Sequence, residues 1–125
     1  MPFDGQPGVA SVAAAARSER LLELARVVEQ VEETKFDLCD WSRNGRCDSV
    51  ACAVGWAMRD DWFQRHGFVW RGRGPYYEGR ANWQAVRAFF GLTREEAFDL
   101  FHVGRYDRAT RAAVGARIRK LAGAR

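Results

Sequence analysis

Long apolar runs are missing from this chain, and so is the basic N-terminal segment of a secretory signal. A membrane-spanning helix needs roughly 18 consecutive apolar residues, and no stretch of the sequence comes near that length. The first residues, MPFDGQPGVASVAAAARSER, include an Ala-rich stretch, but Asp4 stands where a signal peptide would be positive. We therefore expect a cytoplasmic protein with no membrane contact.

Cysteine and histidine are also scarce, with three and two residues respectively. A zinc site needs about four nitrogen or sulfur ligands, in pairs two to four residues apart. Here the closest pair is Cys47 and Cys52, and the remaining ligands, Cys39 with His66 or His102, are unpaired in sequence. We predict no metal and no cofactor, and we expect reduced thiols in the cytoplasm.

The segment NGRCDSVACAVGWAMRDDWF raises the question of a reactive thiol. Cys47 stands just before a predicted helix, where free N–H groups and the adjacent Arg46 would lower the pKa of a thiol. Asp48 opposes that effect, and no cysteine-protease signature is present. We predict that Cys47 and Cys52 are structural thiols, with Asp48 or Ser49 as the helix N-cap and Cys52 packed inside the helix.

Charge is absent between Val50 and Met58, so a helix there is apolar on every side and must be buried. We predict this central helix at 49–59. SERLLELARVVEQVEETK predicts an amphipathic helix capped by Ser18, whose inner face is formed by Leu21, Leu24, Ala25, Val28 and Val31.

The remaining elements follow from local signals. Asp60 or Asp61 is expected to cap a short turn, Thr93 and Glu96 to form a capping box, and Asp107 to cap the last helix. FVWRGRGPYYEG favours a small β-hairpin near 68–78, although an irregular loop fits as well. The sequence thus predicts a mainly α protein: a flexible tail at 1–16 and one compact domain of about five helices at 17–125.

Arginine dominates the basic residues, since 18 of the 20 are arginine. A GC-rich genome explains this bias as readily as recognition of phosphate or carboxylate does. Seven basic residues beyond position 104 face one acid, Asp107, so an arginine-rich C-terminal helix is a candidate nucleic-acid interface. A solvated helix face is the simpler interpretation. The nucleic-acid candidates are Arg105, Arg108, Arg111, Arg117, Arg119 and Lys120.

The stretch QAVRAFFGLTREEAFDLF matches the hydrophobic skeleton of a helix-turn-helix. Two departures count against DNA binding. Arg87 occupies a position that usually holds a small residue, and the second helix carries Glu95, Glu96 and Asp99, which would face phosphates.

Aromatic residues are more numerous than a small helical core needs, with five tryptophans among them. Those near the predicted hairpin are interspersed with arginine, a combination favoured at protein interfaces and able to stack on bases. The predicted partner-binding residues are Trp70, Arg71, Arg73, Tyr76 and Tyr77.

The pattern Cys-x4-Cys-x3-Trp at Cys47, Cys52 and Trp56, followed by FFGLTREEAFDLF, resembles a loose group of small uncharacterised bacterial and phage proteins. The likeness covers residues 36–101, and Asp48-Ser49 stands where that group tends to have Gly-Thr. It implies a compact helical domain with no assigned activity, and it favours a structural role for the two thiols.

The leading functional hypothesis is a small, non-enzymatic binding or regulatory protein that acts through contacts with a protein partner. It includes an origin in a bacterium or phage, with a mobile element as one such source. A nucleic-acid binder that uses the C-terminal arginines is the second hypothesis. A thiol- or metal-dependent enzyme is the third.

Overall fold

The computed structural model describes residues 7–36 and 52–123, with the backbone alone for 7–14 and 103. Within these ranges the protein is mainly helical with a small antiparallel sheet, as the sequence predicts. The helices are α1 (Pro7–Gln30), α2 (Ala53–Ala57), α3 (Asp61–Arg65), α4 (Asn82–Phe90), α5 (Arg94–Phe101) and α6 (Arg111–Ala122), with short 3₁₀ helices at Glu33–Lys35 and Val103–Arg105. The strands, in spatial order, are β1 (Val69–Arg71), β2 (Gly74–Tyr77) and β3 (Arg80–Ala81). None of these helices is both long enough and apolar enough to cross a membrane.

Helix α1 is longer than the sequence predicts, so the expected tail at 1–16 is wrong for residues 7–16. The helix begins at Pro7, which the first turn tolerates because its missing N–H would have no helical partner there. Alanines at 13–16 are the strongest helix formers and carry the helix toward its N-terminus. Ser18 is therefore not the N-cap. It lies within the helix, and its hydroxyl donates to the carbonyl of Ala122 at 2.8 Å.

The apolar stripe of α1 packs chiefly against α6. Gly115 of α6 is buried beside Glu29, and a Cβ at that position would stand 3.0 Å from the Glu29 Cγ, so the two helices approach closely there. Leucine and valine side chains fill the contact; the fully buried residues of the two helices are Leu21, Leu24, Ala25, Val28, Val114 and Ile118.

The central helix is buried, as expected, but the described helix is shorter than the predicted 49–59. Helix α2 begins at Ala53 and ends at Ala57, and Cys52 is its N-cap rather than a residue of the helix interior. The Cys52 Sγ accepts a hydrogen bond from the Gly55 N–H at 3.4 Å. The caps expected at Asp48 or Ser49, together with Cys39 and Cys47, lie outside the described residues.

Phenylalanines form the centre of the core between the helices and the sheet. Phe63, Phe68, Phe89 and Phe90 are fully buried, and the rings of Phe68 and Phe89 stack with centroids 4.8 Å apart. Helix α3 starts after Asp60, one of the two predicted caps, and the Asp60 carboxylate accepts a hydrogen bond from the Trp62 N–H. This start of the helix places Phe63 in the cluster.

The ends of the last three helices follow local sequence signals, with one exception at the start of α6. Gly91 ends α4 in the left-handed conformation at φ +66°, and Thr93 and Glu96 form the predicted capping box of α5. The cap expected at Asp107 is wrong. Thr110 caps α6 instead, accepting the Ala113 N–H at 3.1 Å, because the chain becomes helical only at Arg111.

Candidate partner-binding surface

Two tight turns fold the sheet. Gly72 and Arg73 connect β1 to β2, and Gly72 has φ +69°, the sign that the first central residue of a type II′ turn requires. Glu78 and Gly79 connect β2 to β3 with φ +48° and +82°, and two positive angles are typical of a type I′ turn. Both turn types match the right-handed twist of a hairpin. The predicted hairpin is therefore confirmed, and a third strand extends it.

The register divides four of the five predicted binding residues between the two faces of the sheet; the fifth, Arg73, lies in the turn. Val69 pairs with Tyr76, Trp70 with Pro75, and Arg71 with Gly74. Directly opposed residues share a face and successive residues alternate. Arg71 and Tyr76 therefore lie on one face, while Trp70 lies with Tyr77 on the face that packs against α4.

Tyr77 belongs to the packing of the sheet on the helices. Its ring meets the ring of Phe89 edge-on with centroids 5.0 Å apart, and the Arg20 guanidinium lies 5.8 Å from its centroid. Since Tyr77 is only partly exposed, it anchors the sheet more than it offers a surface.

Arg71 and Tyr76 form a preassembled pair on the outer face. The Arg71 guanidinium stands 4.1 Å above the centre of the Tyr76 ring, which is a favourable cation–π geometry. This contact holds Arg71 in place without neutralising its charge, so the guanidinium N–H groups remain able to bind an acceptor.

Trp70 is the most exposed aromatic residue of the sheet, with 41% of its surface accessible. It lies on β1, the strand at one edge, which pairs with β2 alone within the described sheet. Arg73 in the adjacent turn is exposed as well. We call Trp70, Arg71, Arg73 and Tyr76 the edge surface.

Positive charge dominates this sheet. Arg71, Arg73 and Arg80 are exposed, and no ion pair among the described residues joins any of them to a carboxylate. The only acid between positions 68 and 81 is Glu78, which lies in the turn between β2 and β3. The edge surface thus carries Trp70 on one face of the sheet and the Arg71–Tyr76 pair on the other, with unneutralised arginines along the same edge.

The C-terminal arginines mostly serve the fold. Arg119 binds the Glu29 carboxylate with two hydrogen bonds, and Arg111 donates to the carbonyls of Glu29 and Val31. Hydrogen bonds of this kind fix α6 against α1 and occupy the guanidinium groups.

Arg117 and Arg105 are engaged in the same way. Arg117 donates to the carbonyls of Asp99 and Arg105, and its guanidinium lies 3.9 Å from the centre of the Tyr106 ring. Arg105 pairs with Asp99 and covers Phe98. Of the six nucleic-acid candidates, Arg108 and Lys120 alone are exposed without such a contact inside the described structure.

The thiol and histidine candidates do not converge on a site within the described ranges. Cys52 is 4% exposed and serves as a helix cap, so it is shielded from a substrate. The Nδ1 atoms of His66 and His102 lie near the Trp62 carbonyl and the Gly104 N–H, and the two rings stack on Trp62 and Phe98. No group of three metal-ligating side chains occurs among the residues that the structure describes.

Sequence reasoning missed two exposed aromatic side chains on α4 and α5. Trp83 is 45% exposed and Phe98 is 42% exposed, although Trp83 shares the three-and-four spacing of the buried Val86 and Phe90. Each helical residue advances the direction by 100°, so the four buried positions of α4 centre about a quarter turn away from Trp83. A helical wheel over Asn82–Phe90 would have shown this; the three-and-four spacing alone did not.

Comparisons of the chain with protein-family models, with curated proteins and with solved structures gave no match. The resemblance to small bacterial and phage proteins therefore stays a prediction.

Proposed function

We propose that this is a small, non-enzymatic, cytoplasmic protein that binds another protein through the edge surface. The observation that carries the proposal is Trp70, a large aromatic side chain left 41% exposed on an edge strand that also carries Arg71 and leads into Arg73, two arginines without an ion pair among the described residues. Tryptophan, tyrosine and arginine are the residues most enriched at the energetic centres of protein interfaces. All three types meet here within one short hairpin.

The arginines of the sheet are more available to a partner than those of the C-terminal helix. A nucleic-acid interface needs several guanidinium or ammonium groups that are available to phosphate. Four of the six C-terminal candidates are occupied by acceptors or aromatic rings of the same chain. Arg71 and Arg73, by contrast, retain their hydrogen-bonding capacity.

We further propose a regulatory role in a bacterium, a phage or a mobile element, and the resemblance to small bacterial and phage proteins supports that origin. A protein that works by binding needs an accessible surface and no reactive group. The edge surface is accessible, because Trp70, Arg71 and Arg73 are all exposed.

The test is capture of the native partner. Tagged wild-type protein and a Trp70→Ala/Arg73→Ala variant are incubated with lysate of the native host, and bound proteins are identified by mass spectrometry. We expect one or more partners that the variant loses while its melting temperature stays within a few degrees of wild type. The control is Arg94→Ala/Arg108→Ala, which removes two exposed arginines far from the sheet.

The outcomes separate the hypotheses. Partners captured equally by both variants would place the binding site elsewhere and overturn the proposal. A partner lost on changing Arg108 and retained on changing Trp70 would favour the C-terminal helix. A Trp70 variant that fails to fold would show that the edge surface is structural; Trp70→Phe, which keeps an aromatic ring, then tests the surface in a folded protein.

A further inference from the structure

We infer that the partner binds as an extended acidic segment that adds a fourth, antiparallel strand to the sheet along the outer edge of β1. This inference rests on the proposed function and names the chemistry of the partner at the same surface. Three observations support it: the direction of the Trp70 backbone, the placement of charge along β1, and the position of the Trp70 ring.

The first observation is that the backbone N–H and C=O groups of Trp70 are directed away from β2, toward the outer edge of the sheet. Antiparallel pairs alternate between those that exchange two N–H···O bonds and those that exchange none. Pro75, opposite Trp70, has no N–H, so this pair is of the second kind and the flanking pairs at Val69 and Arg71 are of the first. The N–H and C=O of Trp70 therefore face the open edge.

The added fourth strand could form hydrogen bonds with both of these groups. A residue placed opposite Trp70 would donate its own N–H to the Trp70 carbonyl and accept the Trp70 N–H, which is how peptides add to exposed sheet edges. No hydrogen bond between elements of the described structure uses either group. An unpaired edge of this kind is a template for strand pairing.

The second observation sets the charge of the incoming strand. In antiparallel pairing, the partner residue before the one opposite Trp70 lies opposite Arg71, and the residues before that approach Arg73 in the turn. Both arginines are exposed, and neither forms an ion pair within the described structure. Carboxylates at these partner positions would form charge-assisted hydrogen bonds with the two guanidinium groups.

Charge also argues against a second copy of this chain as the occupant. Pairing two β1 edges at Trp70 would place Arg71 of each copy opposite Val69 of the other, and it would bring no carboxylate to Arg71 or Arg73 of either copy. An acidic partner provides the charge complementarity that a second copy lacks.

The third observation sets the residue opposite Trp70. Directly opposed residues share a face, so this partner side chain lies beside the exposed Trp70 ring. An aromatic or apolar side chain there would cover surface that is accessible in the structure. The chemistry of the partner segment is therefore a run of acidic residues followed at once by an apolar one.

The experiment uses the full chain and a fluorescein-labelled peptide, DEDEFTVT, whose phenylalanine is intended to lie opposite Trp70. Fluorescence anisotropy is measured at low and physiological salt. We expect saturable binding that weakens as salt rises, since exposed charge pairs are screened. The reversed peptide TVTFEDED and the basic peptide RKRKFTVT should bind at least about tenfold more weakly.

Matched variants test the geometry. Arg71→Glu should weaken binding at least about tenfold, while Arg80→Glu should leave it nearly unchanged, because β3 lies two strands away at about 10 Å. Methylating the backbone nitrogen of the peptide's phenylalanine removes the N–H that would bond to Trp70, and should also abolish tight binding.

The inference and the proposed function fail separately. If a native partner is captured in a Trp70-dependent manner but DEDEFTVT does not bind at millimolar concentration, the strand-addition inference is overturned and the proposed function stands. Equal binding of the methylated peptide, or equal effects of Arg71→Glu and Arg80→Glu, would also overturn it. So would tighter binding of a single-stranded RNA, or a Trp70-dependent dimer detected by sedimentation.

Discussion

Arg119 on α6 holds the carboxylate of Glu29 on α1 through two hydrogen bonds of 2.8 Å each. The two residues are 90 positions apart in the chain, and their pairing bridges the longest helix–helix contact of the fold. Arg111 strengthens the same contact by donating to the carbonyls at the end of α1. These contacts make the stability of the fold sensitive to acid and to changes at the helix crossing.

The Glu29 carboxylate should contribute stability that disappears in acid. The hydrogen bond from Arg119 lowers the pKa of Glu29 below its ordinary value of 4.5. A lowered folded-state pKa gives stability above the unfolded value that is lost as the pH falls through the folded value. Urea unfolding of Glu29→Gln should therefore show a weaker pH dependence below pH 5 than wild type. Glu32→Gln, in an exposed local pair with Lys35, is the control, and an identical loss there would contradict the prediction.

Gly115 should be required only while Glu29 is present. An added Cβ would meet the Cγ and Oε2 atoms of Glu29 at 3.0 Å, and the hydrogen bonds from Arg119 restrain that side chain from moving. Gly115→Ala should therefore destabilise the wild type. In a Glu29→Ala background the same change should stabilise by roughly 0.5–1 kcal/mol, because alanine is the better helix former. Urea titrations of all four proteins measure this, and the same sign in both backgrounds would refute it.

Tyr106 should ionise late in the folded protein. Burial raises its pKa to about 12, and its hydroxyl donates to the Leu100 carbonyl at 2.8 Å. A raised pKa gives stability that is complete below the unfolded value of 10 and is lost as the pH rises through about 12. The absorbance change at 295 nm that disappears in Tyr106→Phe should titrate in that upper range.

The same Tyr106→Phe variant should unfold about 1 kcal/mol more easily at neutral pH because it loses a hydrogen bond. If the difference spectrum titrates near pH 10 instead, the hydroxyl is solvated and the structural account of Tyr106 is wrong.

Cys52 should behave as a helix cap when it is replaced. Serine is among the preferred N-cap residues and keeps an acceptor for the Gly55 N–H, while alanine does not. Cys52→Ala should therefore cost about 1 kcal/mol, and Cys52→Ser should cost less. A metal ligand would behave otherwise, since losing one thiolate would collapse a metal-dependent fold. Chemical denaturation of both variants, with elemental analysis of the wild type for zinc and iron, distinguishes the two.

The C-terminal helix should show little affinity for nucleic acid. Arg108 and Lys120 are the candidates left exposed without an intramolecular contact in the described ranges, and two charges give only a shallow dependence on salt. We expect no saturable anisotropy change with duplex DNA, single-stranded DNA or RNA at physiological salt. Binding that is lost in Arg108→Glu/Lys120→Glu and falls steeply with salt would instead support the nucleic-acid hypothesis.

Local signals in the sequence predicted the features that depend on a few neighbouring residues. Thr93 and Glu96 cap α5, and Asp60 caps α3, because each feature needs only residues within one turn. The hairpin followed from its glycines in the same way. β3 was missed because two residues are too few to show alternation.

Features that depend on distant residues were not predictable. Arg119 and Glu29 pair because two helices that are far apart in sequence meet in the fold. The sequence alone does not show this meeting, and it indicates only a solvated or nucleic-acid-binding face for the arginines of α6. Trp83 shares the helical spacing of the buried Val86 and Phe90, and only the orientation of α4 against the core shows that Trp83 is exposed. In the edge surface, the division of Trp70 and Tyr76 between two faces follows only from the register of the strands, and the assignment of these residues to partner binding stays a prediction.

The packing of α1 against α6 also has a kinetic consequence. Contacts between residues 90 positions apart close a very large loop, and folds that depend on such contacts form slowly. During synthesis, the leucine and valine stripe of α1 emerges long before α6 exists to cover it. A nascent chain that has not yet reached Arg111 should therefore be captured by chaperones and cut readily by proteases, and this vulnerability should end only when α6 has been translated and docked.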